Sequence, residues 1–145
     1  MSLTQGQCTV FKTNLLSGLE NFAIGTPYTY KIALYTGLAV LNNTTTSYTT
    51  ANEVVGSGYT AGGLVLTISQ VPIGDTSTST AYISFEPAVW TAVSFSVAGA
   101  LIYNATTGAA IAVLDFGGTK TQNAASTFTV NFPTASATTA IIRIT

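Results

Sequence analysis

From residue 28 onward, apolar residues alternate with small hydroxyl residues. Val93, Phe95 and Val97, for example, alternate with Ser94 and Ser96. A period of two is typical of strands that bury one face, and Gly, Asn and Pro separate these runs along the chain. We therefore predict a mainly β fold, a single antiparallel β-sandwich of the jelly-roll or Ig-like type with about seven to eight strands.

The predicted strands are short and are separated by polar segments. They cover residues 28–36, 64–69, 82–85, 93–103, 110–116, 128–132 and 141–144. The polar stretch 42–63 is predicted as a long loop, with an edge strand at 53–55 as the alternative, and 75–80 as a hairpin tip. Gly117-Gly118-Thr119-Lys120 is predicted as a turn, because it lacks the GxxxxGK[ST] order of a phosphate-binding loop.

The first segment has a different period. Its apolar residues are spaced by three or four positions over residues 5–22, which predicts one amphipathic helix of about four turns; they are Cys8, Phe11, Leu15, Leu19 and Phe22. Thr4 is the predicted N-cap. The helix either packs on the core of its own domain or docks on a neighbouring subunit. The predicted organisation is one domain over 1–145, with a helical segment at 1–25 and the β-sandwich at 28–145.

The residue types present exclude many kinds of chemistry. The chain has no His and one Cys, so Ser-His-Asp and Cys-His pairs, His-ligated metals and intramolecular disulfides are ruled out. Its five carboxylates are widely separated in sequence, which disfavours a hydrolytic acid/base pair; they are Glu20, Glu53, Asp75, Glu86 and Asp115. We predict that the protein is not an enzyme and has no catalytic residue, cofactor or metal.

The outer surface must be built with very little charge. Only nine of the 145 residues are Lys, Arg, Asp or Glu, whereas 39 are Thr or Ser. A net charge of −1 disfavours nucleic-acid binding, which needs clustered cations. The most apolar stretch, 97–116, is interrupted by polar residues, so we predict no membrane span, and the N-terminus lacks the pattern of a secretory signal. Much of the surface is therefore expected to be covered by other protein.

Five residues are the candidate contacts with such partners. Phe11, Leu15 and Leu19 lie on the predicted helix, and Tyr48 and Tyr59 lie in the long polar loop, where they either contact a partner or pack locally.

Two further residues are predicted to be buried. Cys8 is expected to be a small buried hydrophobe, and Trp90 is expected to fill the core or an interface.

Several stretches together resemble a known family. CTVFKTNLLSGLENF, YKIALYTG, NEVVGSGYTAGG, LIYNATTG and AVLDFGG follow one another in this order. They resemble a family of small proteins encoded among the virion structural genes of tailed bacteriophages. The resemblance runs over nearly the whole chain and implies a β-rich particle component without catalytic residues.

Composition and resemblance lead to one function and two alternatives. The predicted function is a capsid decoration (cement) protein in the virion, assembled in the bacterial host cytoplasm, that binds the major capsid protein, itself as a homo-oligomer, or both, and stabilises the head. One alternative is a tail, neck or fibre component with tail proteins as partners. The other is a host-glycan-binding module, for which Trp90 is the residue to test.

Overall fold

A computed structural model describes residues 2–145; Met1, the first residue of the predicted N-terminal segment, lies outside them. The described chain is mainly β, as predicted, with eight strands and one short helix. The helix is α1 (Thr9–Leu16), and the strands are β1 (Gly6–Gln7), β2 (Tyr30–Tyr35), β3 (Leu64–Val65), β4 (Ile68–Asp75), β5 (Thr80–Phe85), β6 (Ala88–Asn104), β7 (Ala110–Val130) and β8 (Ile142–Ile144).

The strands form two antiparallel sheets. The larger sheet has five strands in the order β1-β7-β6-β2-β3, and the smaller has three in the order β4-β5-β8. Within the larger sheet, β2 pairs with β6 from Tyr30↔Asn104 to Tyr35↔Gly99. β2 is almost wholly buried, because its continuous apolar run YKIALY is covered on both faces.

The long hairpin of β6 and β7 corrects two predictions. Residues 110–116 and 128–132 were predicted as separate strands, and 117–120 as a turn, but β7 runs through all of 110–130. Between the pairs Gly99↔Asp115 and Val97↔Lys120, β7 advances five residues while β6 advances two. Gly117 (φ +76°) and Gly118 (φ +131°) take up the extra length as a bulge. These glycines therefore bend a strand instead of ending it.

The helix is shorter than predicted. It covers eight residues instead of about four turns, and Cys8, not Thr4, occupies the N-cap position. The helix ends at Leu16 because Gly18 adopts a left-handed φ of +73°. Phe22 nevertheless reaches the core beyond the helix and stacks on Tyr30, with ring centroids 4.5 Å apart. The apolar spacing thus identified buried residues correctly but extended the helix too far.

The stretch 42–63 is a loop, as predicted, and no strand forms at 53–55. It meets the larger sheet through isolated bridges such as Tyr35↔Glu53 and Ser57↔Ser94. Its end passes so close to β2 that a side chain at Gly63 would collide with the Ile32 carbonyl. This loop is therefore packed tightly against the sheet.

The predicted strand 64–69 is divided between the two sheets. Leu64 and Val65 pair with β2, whereas β4 begins at Ile68 and pairs with β5. The predicted strands at 82–85 and 141–144 correspond to β5 and β8, and residues 75–80 form the hairpin tip between β4 and β5.

One connected cluster of buried residues joins both sheets and the helix. It includes Phe11 of α1, Ile32 of β2, Phe85 of β5 and Leu101 of β6. Cys8 and Trp90 are both buried, which confirms their predicted burial. In the part of the chain that the structure describes, no helix has the length and hydropathy needed to cross a membrane.

Candidate functional site

The predicted loop residues Tyr48 and Tyr59 meet at a buried carboxylate, Glu53. Tyr48 Oη donates to Glu53 Oε2 and Tyr59 Oη donates to Glu53 Oε1, each at 2.6 Å. The Gly62 amide donates to Oε1 at 2.7 Å. Tyr59 Oη also accepts a hydrogen bond from the Leu34 amide at 2.9 Å, which ties the loop to β2. We call Glu53, Tyr48, Tyr59 and Gly62 the Glu53 cluster.

Two more tyrosines hold the same loop. The ring of Tyr103 stacks on Tyr48 at 4.7 Å, and Tyr103 Oη donates to the Gly62 carbonyl at 2.7 Å. Tyr35 Oη donates to the Thr49 carbonyl at 2.6 Å. Because burial raises the pKa of Tyr35, Tyr48, Tyr59 and Tyr103, these phenols stay protonated and act as donors.

The Glu53 cluster therefore positions a loop. Tyr48 and Tyr59 are half-buried, and their hydroxyls are turned toward Glu53. This geometry matches the local-packing alternative considered for both residues. Whether their remaining exposed area contacts a partner stays a prediction.

A second buried carboxylate, Glu20, joins the segment after the helix to the sheet. Asn104 Nδ2 donates to Glu20 Oε1 at 2.7 Å, and Tyr30 Oη lies 3.2 Å from the same oxygen. Glu20 Oε2 is buried without a hydrogen-bond partner. Burial raises the pKa of Glu20, although the bonds from Asn104, Tyr30 and Asn14 oppose this shift.

The helix residues predicted as contacts differ in their exposure. Phe11 is fully buried, so the prediction that it contacts a partner directly is wrong: its ring packs 5.9 Å from Phe22 in the core. Leu15 is half-buried and lines a groove of about 260 Å³ between the helical segment and the smaller sheet. Leu19 is 52% exposed, and Leu16, which the apolar spacing did not include, is 92% exposed.

The Cys8 thiol and the Trp90 ring are both buried within the described residues. Within residues 2–145, no group of three or more His, Cys, Asp or Glu residues is placed to hold a metal ion. The Cys8 thiol is buried, and burial raises its pKa to about 11, so it is not a nucleophile at neutral pH. Trp90 packs in the core, and its ring centroid lies 6.4 Å from that of Tyr59 and 5.9 Å from that of Phe128. It therefore offers no open platform for a sugar ring.

The surface instead carries many large apolar side chains. Among the described residues, eleven are exposed, which is more than the nine charged residues in the whole chain. Val55 is 93% exposed, and Ile24, 78% exposed, lines with Val65 a hollow of about 320 Å³ beside the edge strand β3. Exposed apolar side chains are therefore the most prominent feature of the described surface.

Neither a protein-family model, nor a curated protein, nor a solved structure matches this chain.

Proposed function

We propose that the chain is a structural subunit of a tailed-bacteriophage virion, and within the virion a capsid decoration protein that bridges major capsid proteins. Two independent observations support this proposal. The first is the sequence resemblance to small virion proteins described above. The second is the surface, on which exposed large apolar side chains outnumber charged ones.

The exposed apolar surface is the observation on which the proposal depends. Single exposed hydrophobic residues are ordinary, but here there is little charge to keep monomers apart in solution. Each Å² of apolar area buried against a neighbour contributes roughly 25 cal/mol, less the cost of association. With few ions at the contact, little charge must be desolvated. Such a surface suits a subunit that is held at many copies on a particle.

The fold proposed for this subunit is a β-sandwich. Ile83 and Phe85 of the smaller sheet belong to the same buried cluster as β2 and β6 of the larger sheet. The ring centroids of Phe85 and Phe22 are 6.3 Å apart, and Phe22 in turn stacks on Tyr30 of the larger sheet. This shared core supports two sheets packed face to face. Whether the strands follow the jelly-roll or the Ig-like pattern stays a prediction.

We assign the contact with the capsid to the hollow at Ile24 and Val65. Both side chains are exposed, and the hollow beside them is open at the edge of the larger sheet. β3 has only two residues and no strand partner on its outer side within residues 2–145, so this edge is free for a neighbouring protein.

The test is to locate and count the protein on particles of the phage or prophage that encodes it. Quantitative mass spectrometry of purified particles and immunogold electron microscopy should find many copies on the head. Copies confined to the tail or neck would favour the alternative assignment, and absence from particles would refute the proposal.

Two variants then test the contact surface. Ile24→Asp and Val65→Asp should each lower the number of copies on the head at least about tenfold, because each buries a carboxylate at the contact. Thr127→Asp, at an exposed position of β7, is the matched control and should bind as the unaltered protein does. Full occupancy by both Ile24→Asp and Val65→Asp would show that another surface meets the capsid.

A further inference from the structure

Two surface hollows meet at Ile144 on β8. The first, of about 370 Å³, lies between α1 and β8 and is lined by Lys12, Leu16 and Arg143. The second, of about 300 Å³, lies at the β4–β5 turn and is lined by Asp75. Ile144 lines both hollows. We call Lys12, Leu16, Asp75, Arg143 and Ile144 the Ile144 face.

The two sides of this face carry opposite charge. Two of the chain's four cationic residues, Lys12 and Arg143, line the first hollow, and no Asp or Glu side chain within residues 2–145 lines it. Asp75 lines the second hollow, and no Lys or Arg of the described chain lines that one. Hydrogen bonds from Ser77 lower the pKa of Asp75, so it is ionised at neutral pH.

Apolar surface lies between and beside the charges. Leu16 is 92% exposed and Ile144 is 44% exposed. Leu15 and Ile144 also line the neighbouring groove of about 260 Å³, whose other walls include Phe22 and Ile142. The face thus has an apolar centre with a cationic flank and an acidic flank.

This arrangement is complementary to itself. In a contact with two-fold symmetry, the same patch is used on both subunits, so each feature must meet its complement on the same face. A two-fold axis near Ile144 would place the cationic flank of one copy opposite the acidic flank of the other, twice, with the apolar centres in contact.

We propose that a second copy of this chain docks on the Ile144 face, with Lys12 and Arg143 of each copy opposite Asp75 of the other. The occupant is a second copy because the charge pattern satisfies two-fold symmetry, which a contact with an unrelated protein does not require. The biological role of this contact rests on the virion function proposed above. The contact itself forms in solution, so it can be tested without particles.

Sedimentation velocity of the purified protein over a range of concentrations tests the proposal. The unaltered chain should form a dimer. Lys12→Glu and Asp75→Lys should each weaken the dimer at least about tenfold. Each substitution places two side chains of like charge opposite each other, and the two-fold symmetry repeats this contact twice in the dimer. An equimolar mixture of the two variants should form a heterodimer that is tighter than the dimer of either variant alone. In that heterodimer the carboxylate introduced at position 12 of one copy faces the ammonium introduced at position 75 of the other, while the remaining native pair is kept.

Further variants separate this contact from unrelated effects. Leu16→Ser should weaken the dimer without loss of folding, because the side chain is almost wholly exposed. Thr76→Lys adds a cation beside Asp75 and spares the bonds from Ser77. It should weaken the dimer less than Asp75→Lys does, because it neutralises the acidic flank instead of reversing its charge. Lys120→Glu on β7 is the control with the same charge change and should leave the dimer intact. Lys12 is preferred to Arg143 here because the guanidinium of Arg143 also donates to the Ala137 carbonyl at 3.3 Å.

The proposal would be overturned if the unaltered chain were a monomer at all concentrations. It would also be overturned if Lys12→Glu and Asp75→Lys left the dimer affinity unchanged, or if the mixture of these two variants formed no heterodimer. None of these results would bear on whether the protein occurs on particles. Conversely, a dimer with the expected charge dependence would stand even if the protein were absent from virions.

Discussion

Tyr59 Oη lies 2.6 Å from Glu53 Oε1, and the same hydroxyl accepts a hydrogen bond from the amide of Leu34. One phenol thus joins a loop carboxylate to the backbone of a central strand. Because Glu53 also accepts bonds from Tyr48 and Gly62, the loop 42–63 depends on this carboxylate for its shape.

Removal of the Glu53 carboxylate should destabilise the fold. Glu53→Ala leaves two phenols and the Gly62 amide without their acceptor, and unmet buried donors cost about 1–3 kcal/mol each. We expect the free energy of unfolding in urea to fall by about 3 kcal/mol or more. Glu86→Ala, at an exposed position, should change it by no more than about 0.5 kcal/mol. Equal effects of the two substitutions would contradict the importance of the Glu53 cluster.

Glu20 should make stability depend on pH. Burial raises its pKa in the folded chain above the value of about 4.3 for an unfolded glutamate. The folded state therefore binds this proton more tightly, so the resulting stabilisation is complete below about pH 4 and is lost as the pH rises through the folded pKa.

The variant Glu20→Gln isolates this dependence. Glutamine keeps an oxygen for the Asn104 bond and cannot ionise. The stability of Glu20→Gln relative to the unaltered protein should increase with pH, as measured by urea unfolding at intervals from pH 4 to pH 8. A difference that is constant over this range would show that Glu20 has an ordinary pKa.

Gly63 should tolerate no side chain. Its φ is +77°, and a Cβ atom would collide with the Ile32 carbonyl of the neighbouring strand. Gly63→Ala is expected to lower the free energy of unfolding by about 3 kcal/mol or more, because backbone strain and steric overlap act together. Gly74→Ala is the matched control. A Cβ there meets no atom within 4 Å, so its free energy of unfolding should be nearly unchanged. Urea unfolding of both variants measures the difference, and equal losses would contradict a special requirement for glycine at position 63.

The Cys8 thiol should be inert until the protein unfolds. It is buried, and its pKa is raised to about 11, so neither access nor ionisation favours reaction. A thiol reagent such as DTNB should label the native protein much more slowly than protein in concentrated urea, where the pKa returns to about 8.5. Rapid labelling of the native chain would indicate that the first turn of the helix opens readily.

Local pattern was enough to predict several strands that have a partner on each side. β2, β5 and the second half of β6 have apolar or alternating runs bounded by turn residues, and all three were expected. β7 was divided wrongly because Gly117 and Gly118 have the sequence signature of a turn. Only the pairing with β6 shows that the strand continues beyond them.

The buried carboxylates could not be recognised from sequence. The partner Asn104 lies 84 residues from Glu20, and Glu53 is surrounded by threonines, tyrosines and glycines typical of any polar loop. The two loop tyrosines were singled out, but their shared acceptor was not. Similarly, Leu16 falls outside the apolar spacing of the helix because it faces solvent, which is the reason that it matters for the proposed contact.

Beyond Val113, where β1 ends its pairing, the outer margin of β7 has no strand partner within residues 2–145. Its path is broken by Gly117 and Gly118 and again by Ala124 (φ +40°) and Ala125 (φ +61°). Amyloid grows by stacking flat, regular strands, and each of these bends interrupts the template that an incoming chain would copy. The longest open margin of this charge-poor protein is therefore a poor template for fibril growth.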